Sequence, residues 1–335
     1  MFPTYPNIPI GFQPGKPTVW GFNTQIEESQ VKGATQIFYV DSGHPGALDG
    51  HPGTDPNYPL ATIQELIDRS TGASVVTPAL GNYDVIYVTG DVTESVVLGD
   101  TSDMPTYVSI VGGGTAPHSP IWTAATAAGT ALTINQEGWT VEGFTFEVGA
   151  AGTAIQLREV PGSDLSAYKT TIRNCKFDGL WGGLYGVDFA GAPHRVVIEN
   201  CEFLEFRRGD SSAFAIMVTD STHTNPYECK ILGNLFWENE NHIGSLGAIR
   251  GFNVSVFAGN VFYEGELIVA TLMLDLRGGS RGNNLVTGNV FCGDYSNVGG
   301  YYAHAGTPGM WVGNYAEDLA EAEVADNGFT VAPPA

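Results

Sequence analysis

Three aspartates are the residues of this chain whose placement could do chemistry. Asp188, Asp220 and Asp275 lie 15, 16 and 16 residues before Phe203, Phe236 and Phe291, each in a β-type run that precedes a phenylalanine motif. If those runs stack, the three carboxylates share one face, and two carboxylates roughly 5–9 Å apart can carry out acid/base glycoside hydrolysis. Arg250 and Arg277 fall towards the same face, and Trp181, Trp237, Tyr301 and Tyr302 are candidates to flank a sugar. The competing reading is plainer and better supported: aspartates at strand ends are what a strongly acidic surface supplies as solvated or turn-forming residues. A lyase acting on polyuronides would need cations to neutralise its substrate, and the chain has 14 Lys and Arg against 36 Asp and Glu. The adjacent pair Arg207 and Arg208 sits beside Glu205 and Asp210.

Other motifs are weaker. Asp41, Asp49 and Asp55 share a loop rich in backbone carbonyls, the oxygen chemistry that calcium prefers. Their spacing is not that of an EF-hand, and Asx turns that stabilise the loop are the better account of them. His44 and His51 lie in the same loop without zinc spacing. Gly112–Thr115 lacks the lysine of a phosphate-binding loop, and no nucleophile elbow is present. Cysteines 175, 201, 229 and 292 form no CxxC and are too sparse for a disulfide scaffold. These residues point to no cofactor and lean against an enzyme.

The elements that must position any site follow from a repeat. Thr140–Phe146, Thr171–Phe177, Val197–Phe203, Lys230–Phe236, Val256–Phe262 and Leu285–Phe291 share one pattern: apolar, any, Asn or Gly, any, any, Phe. Val312–Asn314 is a degraded further copy. The phenylalanines are 31, 26, 33, 26 and 29 residues apart, a period that marks a solenoid. Each unit is β-branched and aromatic, with further short β-type runs between copies and Gly or Asn at the corners. This predicts an all-β parallel β-helix, one coil per unit, with Phe146 to Phe291 in one interior row. Asn174 and Asn200 are expected to stack as one ladder and Asn234, Asn260 and Asn289 as a second. Cys175 and Cys201 are expected to stack as small side chains.

Four regions follow along the chain. Residues 1–34 form an extended arm with prolines at 3, 6, 9, 14 and 17 and interleaved Phe2, Tyr5, Phe12, Trp20 and Phe22. Those aromatics either pack on the arm's own domain or dock on a neighbouring subunit or another protein. Residues 35–110 open the solenoid with a short capping helix near 60–69, where Ile63, Leu66 and Ile67 make one apolar face. Coils occupy 111–314, and an acidic cap or tail occupies 315–335. The formal charge of −22 argues against nucleic acid and anionic membrane as partners. The N-terminus lacks the basic and apolar regions of a secretory signal, and no apolar run is long enough to span a bilayer, so folding in a reducing cytoplasm is expected.

The repeat resembles the right-handed parallel β-helix superfamily that contains the pectate lyases. The segment Phe38–Asp68, with its strand, Asp/Gly loop and amphipathic helix, is similar to the start of many β-helix proteins. Tyr5–Gly11 and Asp84–Val88 resemble β-helix proteins among bacteriophage structural genes. The resemblance implies a non-enzymatic virion protein, a capsid decoration or head-fibre-like part. It further implies a homotrimer whose arm contacts the major capsid or another virion protein, assembled in the host cytoplasm. The alternative it implies is a tailspike-type polysaccharide hydrolase or lyase, or a glycan-binding adhesin.

Overall fold

The computed structural model describes residues 36–99, 104–113, 120–159, 166–210, 212–219, 225–245, 251–264, 272–276, 283–293, 302–303 and 310–316. The arm with Phe2, Tyr5, Phe12, Trp20 and Phe22, and the tail from residue 317, lie outside the described residues. The chain forms the expected parallel β-helix solenoid. Among the described residues its strands fall into three sheets of ten, nine and eight strands, and every strand-to-strand pairing is parallel. Successive coils stay in register: Thr171, Ile172 and Arg173 oppose Thr140, Val141 and Glu142 on one side and Val197, Ile198 and Glu199 on the other.

In-register stacking places like residues above like. Phe146, Phe177, Phe203, Phe236, Phe262 and Phe291 form one row, with ring centroids 4.6–5.2 Å apart and planes within 8° of parallel. Trp122 extends it. Near-parallel rings are less favourable in isolation than edge-to-face pairs. Here the ~4.8 Å strand spacing fixes their separation, and complete burial supplies the stabilisation, of the order of 3–5 kcal/mol lost on Phe→Ala.

The corner between the ten- and nine-stranded sheets is two residues in every coil from 143–144 to 313–314. Its first residue is left-handed throughout, as Gly143, Asn174, Asn200, Gly233, Gly259, Gly288 and Gly313, which is why only Gly or Asn recurs there. The second points inward. Asn234, Asn260, Asn289 and Asn314 form a buried ladder in which each of the first three donates from Nδ2 to Oδ1 of the next, at 2.9–3.0 Å. Each also donates to a carbonyl of the preceding coil. The other expected ladder does not form. Asn174 donates to Glu142 at 2.9 Å, because the left-handed position turns its side chain out of the core. Cys175 and Cys201 occupy the inward position instead, buried and free.

The corner after the nine-stranded sheet varies, from two residues after Thr93 (94–95) to nine after Leu204 (205–213). The helix α1 (Ile63–Thr71) begins three residues later than the sequence implies. Leu60 is held extended by a bridge to Val40, and Thr62 caps α1 through Glu65 N–H. Gly72 ends it in a left-handed cap. Glu94 reaches from the first coil to accept from Ile63 and Gln64 N–H at 3.1 and 2.9 Å.

Asn260→Ala should destabilise the protein by about 3 kcal/mol or more, since it strands two buried donors of Asn234 and the Ile231 carbonyl. Asn174→Ala at the surface should cost about 1 kcal/mol or less; urea unfolding that ranks the two alike would contradict the ladder's role. Burial holds the Glu94 proton above the ordinary value near 4.5, outweighing the two N–H donors that favour the charge. The folded protein therefore binds this proton more tightly than the unfolded chain, and stability falls as pH rises through that window. Glu94→Gln should shrink the stability loss that sets in as pH rises above about 4.5. Equal losses in parent and variant would show that another group titrates.

Candidate functional site

Of the three aspartates, Asp188 alone has a described side chain, and it is spent on neighbouring coils. Asp188 is 3% exposed and accepts from Gln156 Nε2 at 3.0 Å and Thr219 Oγ1 at 2.6 Å. It stands in register with Gln156 and Met217 on the eight-stranded sheet. Asp275 ends a strand of the same sheet, three strands further on, a separation of ~14 Å at ~4.8 Å per coil. Asp220, Arg250, Arg277 and Tyr301 lie outside the described residues, as do the side chains of Asp275 and Tyr302.

The acidic loop near α1 spends its carboxylates on its own backbone. Asp49 accepts from Ala61 N–H, Thr62 N–H and Thr62 Oγ1, Asp41 from Gly43 N–H and Thr89 Oγ1, and Asp55 from Asn57. The carbonyls of Asp49 and His51 accept from the buried guanidinium of Arg69, each at 2.7 Å. An arginine thus fills the place where loop oxygens would otherwise face a cation. No group of three metal-ligating side chains occurs among the described residues.

What does converge lies on the nine-stranded sheet. Its pairings set one outward column: Thr123, Glu147, Asp178, Leu204, Trp237, Tyr263. Trp237, 41% exposed, stacks on Tyr263 with centroids 4.2 Å apart. Where the column meets the variable corner, Leu180 and Trp181 project at 50% and 57% exposure. Both have left-handed backbones, φ 47° and 60°, a conformation that bulky side chains rarely adopt and that costs of the order of 1–3 kcal/mol each. The surrounding backbone imposes it. Trp181 N–H donates to Glu205 O, while Gly182 and Gly183 N–H both donate to Gly179 O. A Cβ on Gly179 would lie 2.6 Å from Glu205 O, so only glycine admits the next coil there.

The Arg207 guanidinium lies 4.2 Å from the Trp181 ring centroid, a cation–π contact. It is held beneath the surface by Glu238, at 2.7 Å to the carboxylate and 2.8 Å to the carbonyl. Asp178 is paired with Lys176 at 3.1 Å and accepts from Leu180 N–H. On the other side of Leu180 opens a cavity of about 130 Å³, lined by Thr126, Ala127, Glu147, Val148, Thr153 and Leu180 among others. Ridge and cavity therefore share one residue and one column.

A second aromatic surface runs before the ten-stranded sheet, where Tyr83 stacks on Tyr107. There Lys169 covers Tyr107 and Tyr168, and Arg195 also covers Tyr168, so protein cations already occupy those ring faces. The sequence singled out Trp181 and Trp237 correctly as surface aromatics. Leu180, Tyr263, Glu147 and Arg207 were not legible as their neighbours. The available signal was the apolar pair bracketed by glycines in Gly179–Gly183.

No protein-family description matches the sequence, and no curated protein matches it. Among solved structures the chain is similar to a tailspike protein, gp49 from Acinetobacter baumannii bacteriophage Fri1, described as a capsular polysaccharide depolymerase. The TM-score is 0.35 at 10% identity, over 83% of this chain and 57% of that one. The chain thus spans little more than half the length of that tailspike.

Proposed function

We propose that this is a tailspike-type virion β-helix that binds a glycan chain along the outward column of its nine-stranded sheet. The phage context rests on the sequence resemblance of its opening segments. The observation that carries the binding reading is the exposure of Leu180 and Trp181 in a costly left-handed conformation. Strain sustained by surrounding hydrogen bonds, at a site that leaves large apolar side chains in water, is typical of residues kept for contact with a ligand. Trp237 and Tyr263 continue the apolar surface along the coils, and sugar rings present C–H faces that stack on aromatics. The capsid-decoration reading leans on the arm at 1–34, outside the described residues, and the surface favours the glycan reading over it.

A second reading, cleavage of the bound chain, is favoured by one feature: Glu147 and Asp178 are register partners on adjacent strands. Their backbones are ~4.8 Å apart, so two outward carboxylates stand on neighbouring coils of one column.

Trp181→Ala and Trp237→Ala should each weaken binding of host-surface polysaccharide about tenfold or more, as removal of an aromatic anchor does. The melting temperature should be nearly unchanged, since both rings are exposed. Calorimetric titration of the intact protein with extracted host polysaccharide checks this, and parental affinity in both variants would refute it. A time course of new reducing ends decides the second reading. Release by the parent and its loss in Glu147→Gln would establish cleavage, and none from the parent would leave a binding protein.

A further inference from the structure

Resting on the glycan reading, we infer that the cavity beside Leu180 is a subsite for the acetamido group of a neutral N-acetylated sugar. Its size sets the first limit. About 130 Å³ is a little less than the ~150 Å³ of an apolar cavity that holds a benzene ring. That leaves ample room for a substituent of four non-hydrogen atoms, as in N, C, O and CH₃ of an acetamido group.

Its lining sets the second limit. Ala127, Val148 and Leu180 present apolar surface to a methyl group, and the hydroxyls of Thr126 and Thr153 can donate to a carbonyl oxygen. Glu147 is the deciding residue. Its neighbour in the column, Asp178, is satisfied by Lys176 and Leu180 N–H. The Glu147 carboxylate has no side-chain hydrogen bond or ion pair among the described residues. A carboxylate at the wall of the cavity can accept an N–H or O–H donor of the ligand. An O-acetyl ester has the same shape as an acetamide but no N–H, so this wall distinguishes them. A site built to hydrogen-bond a particular group discriminates strongly against analogues that lack it.

The charges nearby set the third limit. The cations of this surface are taken: Arg207 by Glu238, Lys176 by Asp178, Arg208 by Asp210. Glu147 faces the cavity uncompensated, and the chain carries −22 overall. An anionic sugar would meet repulsion, so the chain it accepts is neutral.

The test uses the intact protein on immobilised neutral glycans in matched sets that differ only in N-acetyl, O-acetyl or hydroxyl at one carbon. The parent should bind N-acetylated members about tenfold or more tightly than their hydroxyl partners. Ala127→Met, which fills the cavity, should abolish that preference while leaving the Trp181-dependent binding of hydroxyl partners. Glu147→Ala, at a partly exposed position, should erase the preference of N-acetyl over O-acetyl. Equal binding of N-acetyl and hydroxyl members, or a preference that survives Ala127→Met, would overturn the subsite and leave the ridge intact. Absence of binding to every glycan would instead overturn the glycan reading itself.

Discussion

The structure depends on one constraint: each coil must hydrogen-bond to the coils above and below it in exact vertical register. Parallel strands buried on one face cannot slip by one residue without turning their apolar set to water. The constraint is enforced where the core is polar. Asn260 accepts from Asn234 and donates to Asn289 and to the Ile231 carbonyl, all buried. A slipped coil would lose these bonds together, and buried amides without partners are costly. The phenylalanine row tolerates small shifts, since stacked rings have broad minima; the amide ladder does not. The ladder therefore specifies register, and the row supplies bulk burial.

The same constraint builds the surface. Because like residues stack inside, unlike residues stack in columns outside, and a linear surface strip arises without any cleft. Glu147, Asp178, Leu204, Trp237 and Tyr263 are consecutive members of such a strip. A step of ~4.8 Å per coil is close to the advance of one sugar residue in an extended glycan. Acidic, paired and aromatic positions then follow one another at that step, the spacing on which the proposed binding of a linear glycan draws.

Legibility in the sequence follows this division. The coils were readable because the register forces a periodic inward pattern, so Phe146 to Phe291 declared themselves. The Asn or Gly corner was readable because its left-handed backbone restricts residue type. The Asn174–Asn200 ladder misled because one corner has two adjacent positions: the first turns outward, as Asn174 does towards Glu142, and only the second enters the core, as Asn234 does. Asp188 misled for a related reason. Its position on the sheet was inferable, but its burial against Gln156 and Thr219 depends on partners from neighbouring coils that no spacing encodes. The surface site was nearly invisible, because outward columns obey no periodic rule.

The two corners of the coil explain why the site is where it is. The two-residue corner between the ten- and nine-stranded sheets is locked by both the left-handed residue and the ladder, so any insertion there would break the core. The corner after the nine-stranded sheet carries no such ladder among the described residues and varies between two and nine residues. Variation is tolerated where backbone groups can be satisfied locally, and loops on a rigid scaffold are where binding residues accumulate. Gly179–Gly183 uses that freedom: it holds Leu180 and Trp181 out over the column, while its carbonyls and N–H groups remain bonded within the turn and to Glu205. The strained pair therefore costs local conformational energy without disturbing the register beneath it. A stiff solenoid can support a strained contact surface because the element that fixes the fold and the element that presents the contact are different corners of the same coil.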